Sequence, residues 1–275
     1  KSIAAIEKLK LEKINVVIGA NGSGKSNFLG AFSFLQAIRE GRLQDYVAKA
    51  GGADRVLHFG SKTTQTLFIH LSFKAPNRPF EIALRPTDGD RLYDAVSSVL
   101  DSSQRKEPDN WRVYHFQDTG ASSPMKKTCK VDDNRYLRPD GGNLAAFLNL
   151  LRQRYMAEYD LIRRTVQLVA PFFDDFQLEP LRLNPDSIRL EWRHRDSDAY
   201  FDAASLSDGT LRFIALATLL LQPEIYRPSV ILIDEPELGL HPYAIAMLAS
   251  LIQQASVATQ VIVSTQSPLL LDNFA

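Results

Sequence analysis

The chain has 275 residues, 45% hydrophobic and 23% charged, enough for one large domain or two lobes with a substantial core. Lys plus Arg equals Asp plus Glu at 32 each, so no global field marks the chain for a nucleic acid or a membrane surface. One cysteine, Cys129, excludes an intrachain disulfide, and the longest apolar run, Phe213 to Leu221, is too short to cross a bilayer.

No signal peptide is visible, so a cytoplasmic protein with no membrane contact is expected; whether native residues lie beyond Lys1 and Ala275 stays open. The first element in chain order is a β-branched run, Ile14 to Ile18, which predicts a strand. It leads into Gly19-Ala20-Asn21-Gly22-Ser23-Gly24-Lys25-Ser26 and then a helix from Asn27 to about Arg39, with Phe28, Ala31, Phe32, Leu35 and Ile38 at helical spacing. GxxxxGKS between a strand and a helix is a phosphate-binding loop in its required context. Main-chain N–H groups near Asn21 to Lys25 converge on phosphate oxygens only where no side chain intervenes, hence Gly19, Gly22 and Gly24. The helix N-terminus, with Ser23 and Asn27 flanking it, adds its positive dipole end. Lys25 is expected to reach the β- and γ-phosphates of ATP, and the Ser26 hydroxyl to ligate Mg²⁺.

Leu67, Ile69, Leu71 and Phe73 alternate with more polar neighbours, as do Phe80, Ile82 and Leu84, which predicts antiparallel strands with one covered face. Residues 88–109 are polar and poorly periodic and read as a surface insert, or as a place where native residues are missing. Trp111 to Phe116 reads as a strand ending at Gln117-Asp118. Helical spacing dominates about 142–170, and Pro171 ends it. No heptad run appears there, so a long coiled coil is not expected. Ile188, Leu190 and Trp192 alternate again as a strand.

Leu206-Ser207-Asp208-Gly209-Thr210 opens an apolar helix, with Ser207 suited to cap it and Gly209 to let the main chain approach an anion. By itself that segment is most simply a capped core helix. Val230-Ile231-Leu232-Ile233-Asp234-Glu235 reads as a parallel strand buried on both faces and ending in two carboxylates. Asp234 is expected to hold Mg²⁺ through water, and Glu235 to orient and deprotonate the attacking water. His58, His70 and His115 lack ligand spacing and read as structural; His241 is left as an interface, site or structural residue.

The LSDGT segment shortly before the acidic strand resembles the ABC signature motif, departing from its usual LSGGQ form at Asp208 and Thr210. Pro236-Glu237-Leu238-Gly239-Leu240-His241-Pro242 after Glu235 is similar to the RecF-, SMC- and OLD-like branch rather than to transporter domains, which carry Ser-x-Leu-Asp. With Asp54-Arg55 and Gly60, Tyr136-Leu137-Arg138-Pro139-Asp140-Gly141-Gly142-Asn143, and Ser264-Thr265-Gln266-Ser267-Pro268, the whole chain resembles a bacterial predicted-ATPase family of AAA_21 type.

That resemblance implies an α/β P-loop NTPase of ABC-ATPase type: a mixed sheet core with an antiparallel β lobe and a helical subdomain. One domain over 1–275 is expected, with lobes near 1–120, 121–178 and 179–275. It implies a homodimer through an ATP sandwich, in which Ser207 and Gly209 contact the γ-phosphate held by the other subunit. It also implies that Gln266 senses the γ-phosphate where relatives use His, against a plain solvated loop Gln. A third implication is that Gln117 ligates Mg²⁺, against a plain strand exit.

Three functional settings stay open: a DNA-related or effector-controlling switch in repair or anti-phage defence, a transporter subunit, and the ATPase part of an OLD-type nuclease system. DNA and a separate nuclease or toxin-like effector are candidate partners. The basic spots Lys126-Lys127, Lys130, Arg152, Arg154 and Arg163-Arg164 are equally solvated surface.

Overall fold

The computed structural model describes residues 2–72, 80–97 and 111–274. The chain divides into two compact units, Lys1–Lys10 with Gly19–Asn110, and Leu11–Ile18 with Trp111–Ala275.

The second unit is organised on a parallel sheet of β1 (Ile14–Ile18), β12 (Gln260–Thr265), β11 (Val230–Asp234) and β5 (Trp111–Tyr114), in that order. Val261, Ile262 and Val263 in β12 and Ile231, Leu232 and Ile233 in β11 are all buried, as expected for strands covered on both faces. Register places Ile18 opposite Thr265 and Asp234 opposite Ser264, so β1, β11 and β12 end at one edge of the sheet.

Helix α6 (Asp208–Leu221) is buried from Leu211 to Leu221 and packs against α5 (Met156–Val169) and α7 (Pro242–Ala255). Such an all-round apolar helix belongs at the centre of a core. The predicted helical segment at 142–170 holds two helices, α4 (Leu144–Arg154) and α5, divided at Tyr155, whose φ of −138° is not helical. β6 (Cys129–Lys130) pairs with β8 (Ser187–Ile188), while β7 (Phe173–Gln177), β9 (Glu191–His194) and β10 (Tyr200–Asp202) form a separate antiparallel sheet. The predicted strand through Ile188, Leu190 and Trp192 is therefore two strands in two sheets. All three side chains are buried, so the alternation survives the division. Short α8 (Pro268–Asp272) follows β12 and is capped by Ser267.

Tyr136 to Asn143 proves to be a structural loop. The fully buried Asn143 accepts from Arg138 N at 2.8 Å and donates to the carbonyls of Asp133 and Tyr136 at 2.8 and 2.7 Å. One amide thus satisfies three main-chain groups of the loop.

In the first unit, α1 (Lys25–Arg39), α2 (Leu43–Lys49) and α3 (Ala53–Val56) precede a meander of β2 (Leu67–Leu71), β3 (Phe80–Pro86) and β4 (Leu92–Ser97). Leu67 faces Leu84 and Ile69 faces Ile82, with Ile82, Leu84 and Leu92 buried and Phe68 and His70 exposed. The antiparallel patterning holds where it is described; Phe73 lies outside the described residues. His70 pairs with Glu81 across the strands at 2.6 Å. The segment read as a surface insert begins instead with a turn, in which Thr87 N bonds Arg91 O, and continues into β4. Asp94 interrupts the apolar alternation of β4 and hides it from a period-two reading. Residues 98–109 of that segment lie outside the described residues.

Candidate functional site

Within the first unit, Gly19 to Ser26 forms a tight loop, with Ser23 N bonding Ala20 O at 3.2 Å and Phe28 N bonding Gly24 O at 2.9 Å. Gly24 caps α1 at φ 105°, a left-handed conformation that disfavours any side chain. The helix therefore starts at Lys25, two residues before the predicted start, and its first N–H groups belong to the loop. Lys25 is buried, and its Nζ donates to the carbonyls of Gly19 at 2.7 Å and Ala20 at 3.2 Å. The ammonium is thus folded back over its own loop. Asn27 Nδ2 donates to the Ser2 hydroxyl at 2.8 Å. An Asp54 carboxylate oxygen accepts from Ser61 N at 2.7 Å, and hydrogen bonding to Ser61 holds its pKa below the usual value. Asp54 and Gly60 therefore serve a local turn.

In the second unit the end of β11 is wired by side chains. Asp234 is buried, and one of its carboxylate oxygens accepts a short hydrogen bond from the Ser264 hydroxyl. Gln117 Nε2 donates to the Asp234 carbonyl at 3.3 Å, which sets the turn after β5 beside the acidic strand. Glu235 sits at φ 44°, an uncommon conformation for a residue with a side chain, and its N–H donates to Ser264 O at 2.9 Å. Gln266 Nε2 donates to Glu235 Oε1 at 2.6 Å. Gln266 is thus seated on the candidate base. Glu237 closes the arrangement: its Oε1 accepts from the buried Thr265 hydroxyl and, at 3.3 Å, from Gln266 N.

The signature segment also lies in this unit. Ser207 Oγ accepts from Thr210 N at 3.1 Å and caps α6, as the residue pattern predicts. Gly209 packs on the loop after β11 so closely that a Cβ there would lie 2.2 Å from the Gly239 carbonyl oxygen. Arg212 is buried, with Nε donating to Phe116 O at 3.0 Å and Nη2 to Gln117 O at 2.9 Å. Burial pulls its pKa down, and the Asp208 carboxylate pushes it back up. His241 is a helix cap: Nδ1 accepts from Ala244 N at 3.3 Å, and Nε2 faces the Val169 carbonyl at 3.4 Å.

Ser264, Glu237 and Arg212 were not identified as functional from the sequence, although each stands in or beside a recognised motif. Their partners lie 28 to 96 positions away along the chain, so no local pattern could reveal them. Among the basic spots, Lys126 donates to Thr119 O, Arg152 to Leu178 O, and Arg163 pairs with Asp160 and Asp175. Among the described residues there is no group of three or more His, Cys, Asp or Glu poised to hold a metal, and no helix long and apolar enough to cross a membrane.

The family model described as "AAA domain, putative AbiEii toxin, Type IV TA system" (AAA_21) matches residues 14–135 and 96–272. A Geobacter sulfurreducens protein named as an ABC transporter ATP-binding protein is 29% identical over 164 residues, 52% of this chain and 63% of that protein. This match therefore spans less than two thirds of the relative's length. Among solved structures, an Smc head bound to the C-winged helix domain of ScpA aligns with a TM-score of 0.60 at 18% identity, covering 96% of this chain and 85% of that one. The Smc head of Pyrococcus furiosus with an extended coiled coil, bound to the C-terminal domain of ScpA, aligns at 0.58 with 17% identity over 96% and 86%. At these identities the likeness establishes the fold, an α/β P-loop NTPase. The loop, the acidic strand end and the signature-like helix stand on that fold, and the chain belongs to the AAA_21 family.

Proposed function

We propose that this chain binds ATP with Mg²⁺ on the Gly19 to Ser26 loop and hydrolyses it at Glu235, with Ser207 and Gly209 of a second copy completing the site. The observation that carries the reading is the wiring at the end of β11, where Gln117, Ser264 and Gln266 converge on Asp234 and Glu235. The donor set fits Mg²⁺, a hard cation that prefers few protein oxygens and shares its shell with phosphates and water. The Ser26 hydroxyl and the Asp234 carboxylate would hold it, and when bound it would neutralise charge on the phosphate oxygens. Ser264 keeps Asp234 oriented by occupying one of its oxygens.

Lys25 exchanges the carbonyls of Gly19 and Ala20 for phosphate oxygens, a stronger, charge-assisted partnership. Glu235 accepts a proton from the attacking water, aimed by its left-handed backbone. Gln266 holds Glu235 in the resting state and turns its amide to the γ-phosphate when nucleotide arrives. An amide carries no proton charge at neutral pH, so Gln266 positions and senses. With Ser207 busy capping α6, its hydroxyl and the first-turn N–H groups form an anion-facing end suited to a phosphate from another subunit.

ATP turnover by such a pair is read as a switch controlling a separate effector, nuclease or toxin-like, or a DNA-related process in repair or phage defence, in the cytoplasm. Lys126, Arg152 and Arg163 are engaged within the chain, which favours an effector over direct DNA contact. Glu235→Gln with ATP and Mg²⁺ is expected to sediment as a dimer, and a persistent monomer would refute the composite site. The name of the Geobacter relative supports a second reading, a transporter subunit. Co-purification with an integral membrane protein would favour it; the segment after Glu235, which lacks the transporter Ser-x-Leu-Asp form, argues against it.

A further inference from the structure

Arg212 holds together three segments that each carry a proposed nucleotide residue. It lies in the first turns of α6, is 4% exposed, and directs its fork at the carbonyls of Phe116 and Gln117. Its Nη1 lies against Gly239, where an added Cβ would approach it to 2.9 Å. Gln117 in turn donates to the Asp234 carbonyl, and Gly209 rests on the Gly239 carbonyl. The turn after β5, the loop after β11 and the capped start of α6 therefore meet on one side chain.

A buried guanidinium that only satisfied strand-end carbonyls would need no particular neighbours. Here the two carbonyls, the glycine and the helix start all belong to elements of the ATP site. Packed, hydrogen-bonded junctions of this kind move as units, because a buried donor torn from its acceptor bears its full desolvation penalty. Resting on the ATP reading above, we infer that Arg212 is a positioning residue that couples the Gln117 turn to the start of α6, so that nucleotide at Asp234 sets the attitude of Ser207 and Gly209. A lysine cannot substitute, since an ammonium lacks the planar fork that spans two carbonyls.

The test is hydrogen–deuterium exchange on the full chain, with and without ATP and Mg²⁺, at a concentration where sedimentation gives monomer. In the wild-type chain, nucleotide should slow exchange at both 117–119 and 207–211. Arg212→Gln and Arg212→Lys should keep the first response and lose the second, by roughly threefold or more in exchange rate. A residue with only a structural role would lower the melting temperature and raise exchange in both states, leaving the nucleotide-dependent difference at 207–211 intact; that result overturns the inference. If 117–119 does not respond even in the wild-type chain, the Gln117 reading fails and takes the inference with it. Should Arg212→Gln fail to fold, Arg212→Lys decides alone by the same criterion.

Discussion

Two loops of this chain are built from opposite materials. The Gly19 to Ser26 loop is almost all main chain: its shape comes from short-range turns and a left-handed Gly24, and its one buried cation rests on its own carbonyls. The end of β11 is almost all side chain: Asp234, Glu235 and Glu237 are each held by a residue from β12 or the turn beyond it. The difference teaches how the two would fail. The first is tolerant of its surroundings and intolerant of its own sequence. In the second, losing one distant hydroxyl or amide disturbs a carboxylate it orients.

The sharpest way to break this contrast is at the acids. Glu235→Gln removes the proposed base and should lower kcat about 10²- to 10⁴-fold while leaving ATP affinity near wild type, read by steady-state phosphate release and calorimetry. Retained turnover would move the base elsewhere. Lys25→Ala deletes the proposed charged partner of the phosphates and should weaken ATP binding by about 2–3 kcal/mol, roughly 30- to 160-fold. Unchanged affinity would mean that the main-chain loop binds without it.

Ser207→Arg tests whether the site is shared. It should spare nucleotide binding by one chain yet abolish turnover by the pair, and normal turnover would show that a single copy suffices. Ser264→Ala probes the wiring directly: Asp234 loses a buried hydrogen bond, worth about 1–3 kcal/mol in folding stability by urea titration. A shift confined to Mg²⁺ dependence, with no stability loss, would recast Ser264 as a ligand-tuning residue. The smallest effect concerns protons. With Gln266 at the switch, kcat should show no limb near pH 6.5, whereas Gln266→His should introduce one close to that value, visible in a pH–rate profile.

The legibility of the two loops follows their construction. Every determinant of the phosphate loop is contiguous, from the β-branched run at Ile14 to Ile18 through Gly24 and Lys25, so strand, turn and helix could be read in one pass. The Val230 to Asp234 strand was equally plain, because burial on both faces leaves an unbroken apolar run. The capping role of Ser207 was legible because its partner, Thr210, is one turn away. The point of division at Tyr155 was not, since helical spacing marks which residues share a face and not where one helix ends and the next begins. β4 was missed because Asp94 interrupts its alternation.

By itself, then, the sequence determined the residue types at the phosphate loop, the acidic strand and the signature-like turn, and with them the AAA_21 family. Those are local patterns, and local sterics and polarity suffice to set them. Only the tertiary structure decided which side chains hold the acids in place: Ser264 on Asp234, Gln266 on Glu235, Glu237 on Thr265, and Arg212 across Phe116 and Gln117. A hydrogen bond acts only over about 3 Å, and residues far apart in the chain come within that range only after the sheet has set its register.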